Sequence, residues 1–278
     1  MERNSIFHNW VLNSKVKRKD KEKKRRISME LICGDCLEEM KKIPDNTIDL
    51  IITSPPYNKV GIRNGNKTNG KRWNNCGGNI NYLSYDDNMK EEDYEKWQIE
   101  VLNECYRILK PTGSMFYNHK NRRYNGKCFF PEWCFKSKLT FYQMITWNRK
   151  NNVDANINYL NPTTELIFWF VKDKPKVFKS NAFYKSEVWE ITPKPFKGHP
   201  APFPIEIPEN CICLTTVEND MVLDPFMGSG TSGIASKRLN RNFIGIEIDK
   251  NYFDMSKKRI EQTTKQTSIF DYLESKGE

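Results

Sequence analysis

The sequence predicts an α/β fold in which a mixed, mostly parallel sheet carries helices on both faces. From Met29 onwards, short apolar strands alternate with amphipathic helices, which is the pattern of such sheets. In 221–248, a strand, a glycine-containing turn, a helix and a second strand follow one another, as in nucleotide-binding α/β units. The apolar strand 48–53 leads directly into a proline-rich run, and ligands of open α/β sheets bind beyond the carboxyl ends of strands.

Apolar periodicity and stop signals define the individual elements. The strongest helix is predicted at 91–109, where apolar side chains recur at helical spacing until Lys-Pro-Thr-Gly at 110–113. The other predicted helices are 37–43, 229–239 and 252–263. The predicted strands are 30–34, 48–53, 114–118, 141–148, 165–171, 221–224 and 243–248.

Two stretches interrupt this alternation. Residues 58–87 hold five of the 14 Gly and eight Asn, which predicts a mobile loop. Residues 193–208 hold six of the 14 Pro, which predicts an extended segment laid over the surface.

Positive charge is concentrated near the N-terminus. The chain has 278 residues and a net charge of +10, and residues 15–26 hold nine basic and two acidic side chains. This pattern predicts a basic arm at 1–28, a folded domain at 29–264 and a tail at 265–278. The charge of the arm is consistent with binding to a polyanionic partner, which would release counterions. A solvated leader segment is an equally good interpretation.

Composition excludes several classes of protein. No apolar run approaches the length of a membrane span, and no apolar stretch follows the N-terminal charges as in a secretory signal, so we expect a cytoplasmic protein without membrane contact. Eight Cys are too few for a disulfide scaffold in a chain of this length. With three His and no second pair to match Cys33 and Cys36, we expect no metal site.

Residues 52–57 (Ile-Thr-Ser-Pro-Pro-Tyr) are the first candidate site. Pro55 and Pro56 lack backbone donors and fix the chain, which leaves carbonyl oxygens to accept hydrogen bonds from an amino group. The Ser54 hydroxyl is a further acceptor, and Tyr57 offers a flat face for a base. The alternative, from the residues alone, is a rigid turn between strand and loop.

Residues 222–231 (Val-Leu-Asp-Pro-Phe-Met-Gly-Ser-Gly-Thr) are the second candidate site. Gly228 and Gly230 permit close backbone approach, and the start of the following helix offers N–H groups to a carboxylate. The next strand contains Glu247, 17 residues after Gly230, and an acid at this place can bind both ribose hydroxyls of a nucleoside cofactor. A dinucleotide is disfavoured because no third glycine completes the GxGxxG pattern.

Together the motifs resemble the beta group of S-adenosylmethionine-dependent amino DNA methyltransferases. The resemblance covers most of 29–264, and the catalytic motif precedes the glycine loop, which is the circular permutation that marks this group. It implies the Rossmann-like methyltransferase fold, S-adenosylmethionine as cofactor without a metal, and double-stranded DNA as partner. By resemblance, the catalytic residues are Ser54, Pro55, Pro56 and Tyr57. The residues that resemble the cofactor site are Asp35, Thr53, His199, Phe203, Asp224, Pro225, Phe226, Gly228, Gly230, Thr231 and Glu247.

The residue before Pro55 indicates the target base. Family members that act on cytosine N4 generally carry Thr-Ser-Pro-Pro-Tyr, as 53–57 do, whereas adenine-N6 enzymes generally have Asp or Asn in place of Ser54. No Pro-Cys dipeptide, the mark of ring-carbon cytosine methylation, occurs. The resemblance implies transfer to the exocyclic N4 of a flipped-out cytosine, held by Ser54 and the Pro55 carbonyl and stacked on Tyr57. Adenine N6 is the alternative, followed by an RNA substrate or a catalytically silent nucleic-acid binder.

Contacts to DNA are predicted from charge. The residues predicted to contact phosphate are Lys67, Lys71, Arg72, Lys120, Arg122 and Arg123. For the last three, a solvated loop is the alternative, and for His199 a structural role is the alternative to one beside the cofactor. The candidate target-recognition insert is 172–197, and Trp133, Trp147 and Trp169 are predicted core residues. We expect a prokaryotic, nucleoid-associated monomer or homodimer that protects DNA from a restriction endonuclease of the same site.

Overall fold

One eight-stranded sheet organises the chain. The computed structural model describes residues 27–58, 89–124, 127–150, 160, 162–193 and 204–264. The strands are β1 (Met29–Cys33), β2 (Ile48–Thr53), β3 (Leu109–His119), β4 (Arg122–Tyr124), β5 (Lys127–Phe129), β6 (Thr140–Asn148), β7 (Thr164–Val171), β8 (Val188–Glu190), β9 (Met221–Asp224) and β10 (Asn242–Glu247). The helices are α1 (Cys36–Met40), α2 (Glu91–Ile108), α3 (Glu206–Thr215), α4 (Thr231–Arg238) and α5 (Lys250–Gln262), with 3-10 turns at Glu132–Lys136 and Lys179–Asn181.

The sheet consists of two halves that meet at β9 and β2. Its order is β1-β10-β9-β2-β3-β7-β6-β8, while β4 and β5 pair separately. The first five strands in this order are parallel, β7 is antiparallel to both of its neighbours, and β8 is parallel to β6. Residues of α4, which follows β9, and of α2, which follows β2, pack in different cores, so a crevice opens between the carboxyl ends of the two strands. The predicted fold class is confirmed.

Alternating side chains of β2 face two separate cores. Leu50 and Ile52 pack with residues of α3, α4 and α5, whereas Ile51 packs with residues of α1 and α2. All six residues of β2 are buried, as expected for a parallel strand that helices cover on both faces. The tryptophans predicted to be core residues are all buried: Trp133, Trp147 and Trp169.

Helix α3 is the main element that the sequence patterns did not indicate. The first turn of α3 includes residues 206–208. These residues belong to the segment 193–208, which the proline content predicts to be extended, and for 206–208 this prediction is wrong. Pro208 is the third residue of the helix, where a backbone N–H would have no intrahelical partner in any case. Residues 207–215 are all buried, including the polar Glu209 and Asn210, so exposure along the helix does not follow a 3.6-residue period. The remainder, 194–203, lies outside the described residues.

Several boundaries differ from the predicted ones. Strand β3 begins at Leu109, five residues before the predicted start, because the chain enters the sheet directly after α2 ends at Ile108. Ser28, predicted to belong to the basic arm, is bound to β10: its carbonyl oxygen accepts from the Phe243 N–H at 2.9 Å. Among the described residues, contacts with the sheet therefore begin at Ser28.

The described part of the predicted recognition insert is integrated into the domain. Residues 172–193 contain β8, which extends the main sheet beside β6. Trp189 and Ile191 are buried in the core that also contains Trp147, and the Trp147 indole N–H donates to the Ile191 carbonyl oxygen at 2.7 Å. This segment therefore supports the sheet edge, and its role in reading DNA stays a prediction. Within the described ranges, no helix has the length and apolar character needed to cross a bilayer.

Candidate active site

The two sequence motifs meet at the carboxyl edge of the sheet. Thr53 ends β2 and Asp224 ends β9, and these two strands are neighbours. The Thr53 Oγ1 hydroxyl donates a hydrogen bond of 2.9 Å to Asp224 Oδ1, and both residues are buried. The structure thus brings 53–57 and 224–231 together at one crevice.

Hydrogen bonds hold both carboxylate oxygens of Asp224. In addition to Thr53, the Phe226 N–H donates to Oδ1 at 3.1 Å, and the Ser232 hydroxyl donates to Oδ2 at 2.7 Å. Burial raises the pKa of Asp224 to about 6, although the three hydrogen bonds act in the opposite direction. Asp224 therefore fixes the glycine loop and the first turn of α4 relative to β2.

Two glycines in the loop 224–231 have a left-handed backbone conformation. Gly228 has φ 52° and Gly230 has φ 81°, a region that side chains disfavour. A Cβ atom at Gly230 would also lie 2.8 Å from Ser256 Cβ. Gly230 is the N-cap of α4 and provides no side-chain cap, so the first N–H groups of α4 are available to an anionic ligand.

Glu247 ends β10 and lies against the glycine loop. Its Oε2 accepts from the Gly228 N–H and its Oε1 from the Asp249 N–H, both at 2.8 Å. Burial raises the pKa of Glu247, and these two hydrogen bonds oppose the shift. The carboxylate is therefore oriented by backbone on both sides while each oxygen retains a second lone pair.

Asp35 follows β1, the strand next to β10. Its Oδ1 caps α1 by accepting from the backbone N–H groups of Leu37 at 2.9 Å and Glu38 at 3.1 Å. The Gly34 N–H donates to the Glu247 carbonyl oxygen at 3.1 Å, so Asp35 and Glu247, two of the three acids predicted to bind cofactor, lie at adjacent strand ends. Because Oδ1 takes both cap bonds, Oδ2 is the atom suited to a ligand.

Ser54 and Tyr57 form a short hydrogen bond within the catalytic motif. Their oxygen atoms lie 2.6 Å apart. Asn118, at the carboxyl end of β3, donates from Nδ2 to the Tyr57 hydroxyl at 2.8 Å and lies 3.4 Å from Ser54 Oγ. Ser54 is partly exposed and Tyr57 is buried, so Ser54 is the member of this group that a substrate can reach.

A second tyrosine anchors the motif from helix α2. The Tyr94 hydroxyl donates to the Pro56 carbonyl oxygen at 2.9 Å and lies 3.0 Å from His119 Nε2. Burial, with nearby positive charge, lowers the pKa of His119 to about 3, so the ring is neutral. His119 Nδ1 lies 2.9 Å from the Lys120 carbonyl oxygen.

The predicted stacking face of Tyr57 is covered in this structure. The ring packs edge-on against His119, with centroids 4.9 Å apart, and the Lys120 ammonium lies 5.4 Å from its centroid. Stacking of a base on Tyr57 stays a prediction.

Arg122 is placed differently from the prediction. Its side chain is buried and forms a two-point ion pair with Glu91 at the start of α2, one bond of which is 2.9 Å from Nη1 to Oε2. A guanidinium in this pair does not face phosphate, so Lys120, which is half-buried, is the better candidate of the cluster. The side chain of Arg123 and the residues Lys67, Lys71, Arg72, His199 and Phe203 lie outside the described parts of the chain.

Four residues at this edge were not singled out for the site: Tyr94, Asn118, Arg149 and Glu165. Asn118 also donates to Glu165 Oε2 at 3.1 Å, and Arg149 Nη1 donates to Glu165 Oε1 at 2.9 Å. The position of Asn118 and Arg149 in the sequence could have indicated the site. Both stand at or after the ends of strands that run in the same direction as β2. Tyr94 gave no such signal, since it lies on the apolar face of a regular helix.

Comparisons with known proteins agree with this geometry. A family described as DNA methylase (N6/N4) matches residues 48–258. The chain is 32% identical over 267 residues to the type II methyltransferase M.HpaI of Haemophilus parainfluenzae, covering 84% of this chain and 75% of that protein. It is also 29% identical over 266 residues to the DNA adenine methyltransferase YhdJ of Escherichia coli K12, covering 83% and 82%.

Solved structures have the same fold. The cytosine-N4-specific PvuII DNA methyltransferase superposes with a TM-score of 0.68 at 20% identity, over 88% of this chain and 90% of that one. The complex of M1.HpyAVI with S-adenosylmethionine superposes with a TM-score of 0.58 at 26% identity, over 84% and 98%. The chain belongs to the N6/N4 family of DNA methylases.

Proposed function

We propose that this DNA methylase transfers the methyl group of S-adenosylmethionine to the exocyclic N4 amine of a cytosine that is flipped out of duplex DNA. The observation that carries the proposal is the partly exposed Ser54, which precedes two prolines at the end of β2 and lies beside the loop 224–231. Membership of the family supplies the reaction class, and the residue at position 54 supplies the choice of base.

The residues at the crevice fit the cofactor. The Thr231 hydroxyl is buried at the start of α4 and has no hydrogen-bond partner in the described chain. With the uncapped N–H groups of α4, it suits the carboxylate of an amino-acid moiety. Glu247 suits two ribose hydroxyls, and Asp35 at the next strand end suits the amino group of a purine. S-adenosylmethionine would supply an electrophilic methyl group when bound at these residues.

The chain's own groups orient the amine. An exocyclic amine conjugated with its ring is a poor nucleophile, and hydrogen bonds from its N–H groups to fixed acceptors favour the tetrahedral nitrogen of the transition state. Ser54 Oγ and the Pro55 carbonyl oxygen are such acceptors, and Tyr94 restrains the motif through the Pro56 carbonyl oxygen. Most of the rate enhancement then comes from position, because these acceptors are held before the base arrives.

Adenine N6 is the second candidate. YhdJ, whose name states adenine, aligns over most of the chain, while the solved neighbour PvuII is named as cytosine-N4-specific. Ser54 favours cytosine, because a hydroxyl replaces the carboxylate or carboxamide that adenine enzymes generally present. As in the type II relative M.HpaI, we infer a role in restriction–modification, with duplex DNA as partner and a cytoplasmic, prokaryotic setting.

One experiment tests the proposal. Purified protein is incubated with methyl-labelled S-adenosylmethionine and mixed genomic DNA, and the DNA is digested to nucleosides for mass spectrometry. We expect the label in N4-methylcytosine. Label in N6-methyladenine would refute the choice of base while leaving the reaction class intact. Absence of label in DNA, with cofactor binding retained, would refute the activity itself.

A further inference from the structure

We propose that Glu165 is a positioning residue that acts through Asn118 to set the direction of the hydrogen bond between Tyr57 and Ser54. The inference rests on the proposed function, in which Ser54 receives the target amine. Glu165 lies outside both sequence motifs, more than 100 positions after Ser54 in the chain.

The antiparallel strand β7 brings Glu165 to the catalytic edge. Glu165 is the second residue of β7, and Asn118 is the last but one of β3, to which β7 is antiparallel. Asn118 is 1% exposed and Glu165 is 8% exposed. Their hydrogen bond is therefore shielded from water, where its direction has a large effect on free energy.

Glu165 determines which way the Asn118 amide faces. A carboxylate oxygen only accepts, so the atom 3.1 Å from Glu165 Oε2 has to be the amide nitrogen of Asn118. The same nitrogen lies 2.8 Å from the Tyr57 oxygen, which makes Tyr57 an acceptor of this bond. A rotated amide would place Oδ1 against the carboxylate. In the observed orientation Nδ2 donates two hydrogen bonds, whereas Oδ1 has no partner among the described residues. The two hydrogen bonds of Nδ2 outweigh the one that Oδ1 does not make.

The direction then continues to Ser54. The Tyr57 oxygen accepts from Asn118, so Tyr57 has one proton left to donate. Ser54 Oγ, at 2.6 Å, is a closer acceptor for this proton than the backbone carbonyl oxygen of Asn118 at 3.5 Å. Burial and the Glu165 carboxylate raise the pKa of Tyr57, so the phenol keeps this proton. The two protons of Asn118 Nδ2 go to Tyr57 and Glu165, both of which are closer than Ser54 Oγ at 3.4 Å. Ser54 therefore accepts from Tyr57 and presents its remaining lone pair and its own hydroxyl proton towards the crevice.

A neutral amide cannot replace Glu165. Its Oε1 accepts from Arg149 Nη1 at 2.9 Å while its Oε2 accepts from Asn118. A glutamine has one oxygen, so either orientation points an N–H group at a donor. The orientation that satisfies Arg149 would turn the Asn118 amide, and Tyr57 would then donate to Asn118 instead of Ser54.

A double-mutant cycle on the full-length protein tests this coupling. The turnover number and the dissociation constant of S-adenosylmethionine are measured for wild type, Glu165→Gln, Ser54→Ala and the double variant. We expect Ser54→Ala to lower kcat about 100-fold, as loss of one preorganised polar group does. We expect Glu165→Gln to lower kcat about 10-fold in the wild-type background but less than about 2-fold in the Ser54→Ala background, because the effect passes through Ser54. Cofactor affinity should be unchanged.

The matched control is Glu209→Gln. Glu209 on α3 is also buried and accepts from an arginine, Arg238, at 3.2 Å, but it lies away from the catalytic edge. We expect its kcat to equal that of wild type. If Glu165→Gln lowered kcat by the same factor in both backgrounds, or left kcat unchanged in the wild-type background, the proposal would be wrong.

A second variant covers the case in which Glu165→Gln does not fold. Asn118→Leu keeps the approximate size of the side chain but removes the donating nitrogen, so it should reproduce the loss of kcat and its disappearance in the Ser54→Ala background. Full activity of Asn118→Leu would overturn the proposal. Label found in adenine would refute the base assignment, while the cycle would still decide the role of Glu165.

Discussion

Thr53 Oγ1 lies 2.9 Å from Asp224 Oδ1, although 171 positions separate the two residues in the chain. This hydrogen bond joins the carboxyl ends of β2 and β9, and it connects the residues proposed to hold the target amine to the loop proposed to hold the cofactor. Since both residues are buried, the relative position of the two halves of the site depends on it.

Thr53→Val should loosen this connection. Valine has the same shape but no donor, so Asp224 Oδ1 would keep only the Phe226 N–H. We expect a loss of about 1–3 kcal/mol in the free energy of unfolding and weaker binding of S-adenosylmethionine. Thr53→Ser retains the hydroxyl and should remain close to wild type. Urea unfolding and isothermal titration calorimetry measure both effects, and equal values for Val and Ser would contradict the role of the hydroxyl.

The raised pKa of Asp224 predicts a specific dependence of stability on pH. A folded pKa of about 6, against an ordinary value of 3.8, means that the folded chain holds a proton which the unfolded chain has lost between these values. Its contribution to the free energy of unfolding therefore falls as pH rises from about 4 to about 6, by roughly 3 kcal/mol in total.

Asp224→Asn should remove this component. We expect the free energy of unfolding of wild type, minus that of Asp224→Asn, to fall steadily from pH 4 to pH 6 and to be constant above pH 7. Urea titrations at five pH values measure it. The difference isolates Asp224 from other groups, such as His119, whose shift acts in the opposite direction. Parallel curves for the two proteins would show that Asp224 does not titrate in this range.

His119 should remain neutral far below its ordinary pKa. Burial lowers the pKa of His119 to about 3, so the folded chain does not take up the proton that the unfolded chain binds below about pH 6.5. The contribution of His119 to stability is complete above pH 6.5 and is lost as pH falls towards 3. Proton–carbon NMR of the three histidines, with His119→Gln for assignment, should show no titration of His119 between pH 8 and pH 5. A midpoint near 6.5 would refute this.

The basic N-terminal segment should affect the salt dependence of DNA binding and leave sequence choice unchanged. Removal of 1–26 deletes the nine basic residues of 15–26, so fewer counterions are released on binding. We expect a shallower slope of log K against log salt concentration and an unchanged modified sequence. A full-length variant with these nine residues replaced by Gln is the matched control and should behave as the deletion does. A changed target sequence would mean that this segment reads bases.

Much of the fold could be predicted because its signals are local. The apolar run of β2 ends at Thr53 in sequence and in structure, and α2 extends from Glu91 to within one residue of its predicted end. Helix α3 could not be predicted in this way, because the prolines of 193–208 indicate an extended segment and polar residues of the helix, such as Glu209, are buried. The pairing of Arg122 with Glu91 could not be predicted, because charge alone does not reveal which partner a side chain has in the fold.

The sequence by itself determined the reaction class, because a motif such as 53–57 or 224–231 carries its chemistry in consecutive residues. Only the tertiary structure decided which distant side chains share a hydrogen-bond network with them. Asn118 lies in β3, Glu165 lies in β7 and Arg149 directly follows β6. Asn118 contacts Tyr57 and Ser54, Glu165 bonds to Asn118 and Arg149 bonds to Glu165, and this chain of contacts follows from strand order and direction. The physical reason is that hydrogen bonds depend on distances of about 3 Å in space, which spacing along the chain does not encode once strands from remote segments become neighbours.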